Sequence, residues 1–270
     1  VREDEQMHIP AELLPDGADW LPVESGESGA AVLRDEAGGR YVKVVPSSQV
    51  DELAAERDRI AWLASVGIPG PSVIEWRLTA HGGALVTSAV EGVPADRLDA
   101  AGLRAAWPAI ADILRRLHAV PVSDCPYGRG VDGMMTAARA TVAEDRVQTE
   151  FLPVALQDVP PSRILADLES ELPRRIVQEQ AEAVVCHGDF CLPNILIAPD
   201  GSHVAGLIDV GRLGRADPYA DIALLLANAR ETWPDESTAR RADEDFAARY
   251  GIDLDSARQD FYLRLDPLTW

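Results

Sequence analysis

With 270 residues and 47% hydrophobic content, the chain can bury a substantial core, as one large domain or as two lobes. Its formal charge of −20, from 45 acids against 25 bases, disfavours nucleic acid and anionic lipid as partners and favours cations, although it also suits plain solubility. No apolar run reaches the about 20 residues a membrane span requires.

The opening Val1-Arg2-Glu3-Asp4-Glu5 lacks the basic start and apolar stretch of a secretory signal. Cys125, Cys186 and Cys191 have no metal-ligand spacing, so reduced thiols in a cytoplasmic protein are expected. Residues 20–90 then carry short β-rich runs separated by glycine turns: Ala30-Ala31-Val32-Leu33, Tyr41-Val42-Lys43-Val44-Val45 and Ala84-Leu85-Val86-Thr87. Just before the first of these runs, Ser25-Gly26-Glu27-Ser28-Gly29 could turn its backbone N–H groups over phosphates, but an ordinary hairpin turn explains a lone G-x-x-G better. One helix, Val50 to Ser65, interrupts the strands, and Glu56 falls on its buried stripe of Leu53, Ile60 and Leu63. A buried acid needs a partner. Lys43, on the preceding strand, shares a face with Tyr41 and Val45 and is the candidate; a lysine–glutamate pair so placed holds nucleotide phosphates in kinases. The competing reading is a snorkelling Lys43 with Glu56 at the rim.

From Arg97 onward helical spacing dominates, beginning with Leu103, Trp107, Ile110, Leu114 and Leu117, while Pro108 suggests a kink or two abutting helices. The change near Val90–Pro94 predicts an α+β chain with a small antiparallel-sheet lobe, residues 1–90, and a larger mainly helical lobe, residues 91–270, with a cleft between them.

The richest chemistry lies between Val184 and Asp209. Val184-Val185-Cys186 reads as a buried strand, followed by His187-Gly188-Asp189-Phe190-Cys191-Leu192-Pro193-Asn194. Two further runs, Ile195–Ala198 and Val204–Ile208, flank the turn residues Pro199-Asp200-Gly201-Ser202. A hairpin there would set Asn194 across from Asp209, beside the loop bearing Asp189. Magnesium takes hard oxygen ligands and few carboxylates, which suits Asn194 and Asp209. Asp189 would then orient an acceptor hydroxyl and take its proton. Each residue alone also fits a turn-former beside a strand. His187 is expected to hydrogen-bond loop carbonyls, Asp217 to cap a helix with Pro218 at its start, and Asp221 to favour that helix's first turn.

His187-Gly188-Asp189 through Asn194, with Ile208-Asp209-Val210-Gly211-Arg212, resembles the aminoglycoside phosphotransferases, whose fold is similar to that of the protein kinases. Trp20-Leu21-Pro22-Val23, Gly26–Gly29, Glu56–Arg59 and the terminal Phe261 to Trp270 look like the streptomycin 3″-phosphorylating branch. The resemblance implies a bilobal protein-kinase-like fold, with a nucleotide-binding lobe before a catalytic and substrate-binding lobe. It implies that Lys43, oriented by Glu56, and Ser28 bind ATP phosphates, and that Ser88 and Val90 present backbone groups to adenine. Asp189 would be the base, and Asn194 with Asp209 would hold Mg²⁺. Glu231 and Asp266 would face a cationic aminoglycoside. Pro267 departs from the second acid of 3′-modifying relatives, which favours streptomycin. A monomer is expected. A choline, homoserine or thioribose kinase, or a catalytically silent nucleotide-binding regulator, are the other readings.

Overall fold

In the computed structural model, residues 9–23 and 30–270 are described. The chain divides into two compact units, residues 1–91 with 206–211, and residues 92–205 with 212–270. In the first, β1 (Trp20–Pro22), β2 (Ala31–Asp35), β3 (Arg40–Pro46), β4 (Val73–Thr79) and β5 (Gly82–Ser88) form an antiparallel sheet in the order β1-β2-β3-β5-β4. Helix α1 (Val50–Ser65) follows β3 and packs on β3, β4 and β5. Alternation along β3 decides what each face meets. Val42 and Val44 point into a core with Leu13, Leu33, Ala84 and Val86. Lys43 and Val45 take the opposite face, toward α1, whose Leu53, Ile60 and Leu63 are buried as the stripe predicts.

The second unit begins with β6 (Val93–Pro94) and is mainly helical. Helix α2 (Ala100–His118) starts at Asp99, whose carboxylate accepts the Gly102 amide at 2.8 Å. Pro108 lies inside this helix, so the run is one 19-residue element and not two abutting helices. Packing of Leu103, Trp107, Ile110, Leu114 and Leu117, all buried, outweighs the hydrogen bond proline omits. Helices α3 (Val131–Ala143) and α4 (Pro161–Glu182) follow; the acid- and proline-rich stretch between them holds two 3₁₀ turns, Thr149–Phe151 and Val154–Leu156.

Strands β7 (Val184–Cys186), β8 (Ile195–Ile197), β9 (Val204–Leu207) and β10 (Gly214–Ala216) frame the region singled out by sequence, with β10 antiparallel to β7 and the order β6-β8-β9 in a second small sheet. The hairpin closes where the Ala198 amide bonds the His203 carbonyl at 3.0 Å and the Gly201 amide bonds Ala198 at 2.7 Å. Its ladder stops at Leu207, short of Asp209, which corrects the expected cross-strand pairing with Asn194. Asp209 has φ 57°, a left-handed conformation that a strand cannot continue through. Helices α5 (Tyr219–Ala229), α6 (Glu236–Tyr250) and α7 (Ser256–Leu265) complete the chain; α6 is capped by Asp235 and ended by Gly251 at φ 93°. No helix among the described residues is long and apolar enough to cross a membrane. The α+β class, with one antiparallel five-stranded sheet and a mainly helical second unit, is the one the sequence predicts. β4 and β10 were not foreseen: β4 alternates weakly, and β10 is only three residues long.

The helices of the second unit are joined by a buried cation. Arg175 of α4 is fully buried, bonding Glu171 at 2.6 Å and the Ala257 carbonyl at 2.7 Å, with its guanidinium 5.0 Å from the Phe261 ring centroid. Removing one member of a buried pair leaves the other and the cavity uncompensated. Arg175→Ala should therefore lower stability by about 3 kcal/mol in urea unfolding followed by far-ultraviolet circular dichroism, with Glu171→Gln costing less because Glu171 is partly exposed.

Candidate active site

In the first unit, β3 and α1 place Lys43 Nζ 2.8 Å from Glu56 Oε2. The expected pair therefore forms, and Glu56 is held inside, its side chain only 12% exposed. Lys43 Nζ is also 3.6 Å from Asp209 Oδ1. Asp209 reaches this position because residues 206–211 pack with the first unit, the Leu207 amide donating to the Pro69 carbonyl at 2.9 Å. Gly70 and Gly206 permit that approach. A Cβ on Gly70 would lie 2.8 Å from the Leu207 carbonyl oxygen, and one on Gly206 would lie 3.1 Å from the Gly70 Cα.

Burial works to lower the Lys43 pKa, but Asp209 and Glu56 together carry it above its ordinary value, so the ammonium stays charged. Burial pushes the Glu56 carboxyl up, and the Lys43 charge offsets only part of that. One lysine thus shares its charge between an enclosed carboxylate and a half-exposed one.

In the second unit, the loop after β7 is built around a buried acid from α5. Asp221 accepts the His187 amide at 2.7 Å and the Gly188 amide at 2.8 Å, and its Oδ2 lies 3.1 Å from His118 Nε2. His118 Nδ1 is 2.6 Å from the Tyr250 hydroxyl. The two ring nitrogens thus link the Asp221 carboxylate and the Tyr250 hydroxyl in one chain of contacts. Burial pushes the Tyr250 pKa up, which keeps that hydroxyl a donor. Burial also acts to raise the Asp221 pKa, but His118 and the amide donors hold it below its usual value.

Gly188 stands at φ +84°, and a Cβ there would lie 2.3 Å from the Arg212 carbonyl oxygen. Only glycine fits this turn. The next residue, Asp189, is partly exposed, and its amide donates to His187 Nδ1 at 3.2 Å. His187 is buried and structural, as expected, though the described bond has its ring accepting an amide where carbonyl partners were expected. Asn194 Nδ2 donates at 3.0 Å both to the Asp189 carbonyl and to Asp189 Oδ2, and approaches Cys191 Sγ at 3.2 Å. With its amide nitrogen so used, Asn194 keeps Oδ1 as its acceptor.

Taken singly, Asn194 Oδ1 is a neutral and the Asp209 carboxylate a charged hard oxygen donor, each of the type magnesium accepts.

The other expected site residues are placed as follows. Ser28 lies outside the described residues. The Ser88 amide donates to the Ser72 carbonyl and its Oγ accepts the Ser72 amide, both at 2.9 Å, so the sheet uses that amide and the Ser88 carbonyl is its remaining backbone group. Val90 lies two residues beyond β5, its Cγ1 against Gly206. Glu231 is exposed in the turn after α5. Asp266, expected to face a cationic ligand, is buried and has internal partners. Its Oδ1 is 3.1 Å from Arg129 and 3.6 Å from Arg212, and Oδ2 accepts the Trp270 indole N–H at 3.3 Å. Asp217 does act at the start of α5, accepting the Tyr219 amide at 2.9 Å, and also binds Arg258 at 2.8 Å. His118, Arg129 and Tyr250 were missed by sequence reasoning, because no local spacing links them to partners over a hundred residues away.

The chain matches the family described as "Phosphotransferase enzyme family" over residues 19–259. It is 57% identical over 262 residues to streptomycin 3″-kinase of Streptomyces griseus, an alignment covering 97% of this chain and 96% of that one. Identity to an aminoglycoside 3′-phosphotransferase of Streptomyces fradiae is 38%, covering 92% and 94%. Among solved structures, aminoglycoside phosphotransferase APH(3″)-Id of Streptomyces rimosus superposes with a TM-score of 0.91 at 56% identity, covering 94% of this chain and 93% of that one. A second structure of that enzyme, in complex with ADP and streptomycin, gives a TM-score of 0.90 at 54% identity with the same coverage. On this evidence the chain belongs to the phosphotransferase enzyme family, and within it to the aminoglycoside phosphotransferases.

Proposed function

We propose that this protein transfers the γ-phosphate of ATP to the 3″-hydroxyl of streptomycin and thereby inactivates the antibiotic. The observation that carries this reading is the loop in which Asp189 and Asn194 are locked together by paired 3.0 Å bonds, in a chain 57% identical to a streptomycin 3″-kinase. Asp189 orients the acceptor hydroxyl and takes its proton as the phosphoryl group moves, a general-base role worth roughly 10²–10⁴-fold. Lys43, steadied by Glu56, binds the α- and β-phosphates, with Ser28 assigned to the phosphates as well. Ser88, through its carbonyl, and Val90 hold the adenine. Asn194 and Asp209 hold Mg²⁺, which when bound neutralises charge on the phosphate oxygens.

Streptomycin carries guanidinium groups, and carboxylates recognise these by charge-assisted hydrogen bonds. Exposed Glu231 is available for that role, while Asp266 acts on the acceptor side through the arginines it binds. Pro267, buried in the terminal 3₁₀ turn, takes the place of the second acid of 3′-modifying relatives, which supports streptomycin over kanamycin. Residues 1–90 form the nucleotide-binding lobe and 91–270 the catalytic and substrate lobe of a cytoplasmic monomer.

The direct test is mass spectrometry and NMR of streptomycin incubated with enzyme, ATP and magnesium: the product should carry phosphate on the methylglucosamine ring, and kanamycin should turn over at least tenfold more slowly. Equal rates on both drugs would remove the substrate assignment. Asp189→Asn should retain ATP affinity while kcat falls by about 10³-fold, since the carboxylate is needed only at the reacting hydroxyl. Lys43→Ala should raise the KM for ATP by about tenfold with a smaller loss in kcat, because much of its binding to phosphates is already in place before transfer. An unchanged ATP KM beside a collapsed drug affinity would contradict the role given to Lys43.

A further inference from the structure

Beside the Asp189 loop sits a cation, Arg129, whose own part the roles above leave unspecified. Arg129 precedes α3, and its backbone is tied to β10: its amide donates to the Arg215 carbonyl at 3.0 Å, and the Arg215 amide donates to Tyr127 at 3.0 Å. Its side chain is 13% exposed and crosses the turn at Gly188. A Cβ on Gly188 would fall 2.7 Å from Arg129 Cδ, and one on Gly214 would fall 3.3 Å from Arg129 Cβ. The arm therefore lies in contact with the backbone just before Asp189. At its far end Nη2 bonds Asp266 Oδ1 at 3.1 Å, while Nε is buried with no hydrogen-bond partner.

This is an expensive way to fill space. A buried guanidinium with an unpaired N–H costs desolvation that a leucine or methionine of similar reach would avoid. What the cation adds is charge, next to a turn that gathers two carboxylates, Asp189 and Asp221. Burial lowers the Arg129 pKa, and the neighbouring Arg212 adds to that, but Asp266, Asp221 and Asp189 all oppose it. We propose that Arg129 is a positioning residue for phosphoryl transfer: clamped by Asp266, it braces the Gly188–Asp189 turn and holds the catalytic carboxylate where the acceptor hydroxyl needs it. The proposal rests on the phosphotransfer reading and deepens it, because it gives Asp266 work through Arg129 and none on the drug itself. Small displacements of a reacting group cost rate steeply while leaving ground-state binding intact.

Steady-state kinetics of Arg129→Met, Arg129→Lys and Asp266→Asn, each with thermal unfolding, test this. Arg129→Met keeps the arm and removes the charge, and should lower kcat by at least thirtyfold with both KM values within threefold of the parent. Arg129→Lys restores a cation and should recover kcat to within about fivefold of the parent. Asp266→Asn releases the clamp and should lower kcat about tenfold at unchanged streptomycin KM. A full-rate Arg129→Met enzyme would overturn the proposal. So would an Asp266→Asn enzyme with intact kcat and a raised streptomycin KM, which would put Asp266 on the drug. If Arg129→Met fails to fold, the Lys and Asn variants decide: losses confined to melting temperature, with kcat unchanged, also overturn it. Should the parent leave streptomycin untouched, the substrate reading fails, and the same kcat ratios are read on its drug-free ATP hydrolysis, where water replaces the hydroxyl.

Discussion

A fully buried carboxylate organises the chemistry of this protein. Asp221 has no water to solvate it, so its charge must be met by donors, and the donors it finds are the amides of His187 and Gly188 together with His118. Meeting that demand shapes the loop after β7. Once the two amides point at Asp221, Gly188 must adopt positive φ, and Asp189 emerges at the partly exposed end of the turn. His187 then accepts the Asp189 amide, and Asn194 closes the loop from the other side. The electrostatic requirement of one side chain on α5 becomes the position of a different one, Asp189, to which the proposed chemistry is assigned.

The first unit solves a related problem with one lysine and two acids. Glu56 is enclosed and would be costly alone, and Lys43 compensates it at 2.8 Å. The same ammonium stands 3.6 Å from Asp209, whose strained backbone carries its carboxylate out of the hairpin ladder and into this group. A nucleotide phosphate added to such a group would meet a charged lysine already held in place, which limits the reorganisation that binding requires.

In the second unit, charge is also buried for architecture. Arg175 joins α4 to α7, and Arg258 joins Asp217, at the head of α5, to Glu182 at the end of α4. With 45 acids in the chain, arginines are the scarce partners, and the structure spends several of them inside, where desolvation strengthens each pair.

The sequence by itself determined several elements and singled out the candidate trio. The spacing of Leu53, Ile60 and Leu63 defined α1, alternation about Lys43 defined β3, and the residue types at 189, 194 and 209 suggested phosphoryl transfer. These signals are local, carried by periodicity or by residues within one loop. Only the tertiary structure decided what Asp221 and Asp266 do, because their partners come from distant segments: His118 and Tyr250 for one, Arg129 and Arg212 for the other. Asp221 looks like a first-turn acid until burial makes it an acceptor for the loop. Asp266 reads from sequence as an acid aimed at a ligand, and the tertiary structure adds two arginine partners that the spacing does not reveal. Their roles depend on what surrounds them once water is excluded, and that is a property of packing that no spacing along the chain records.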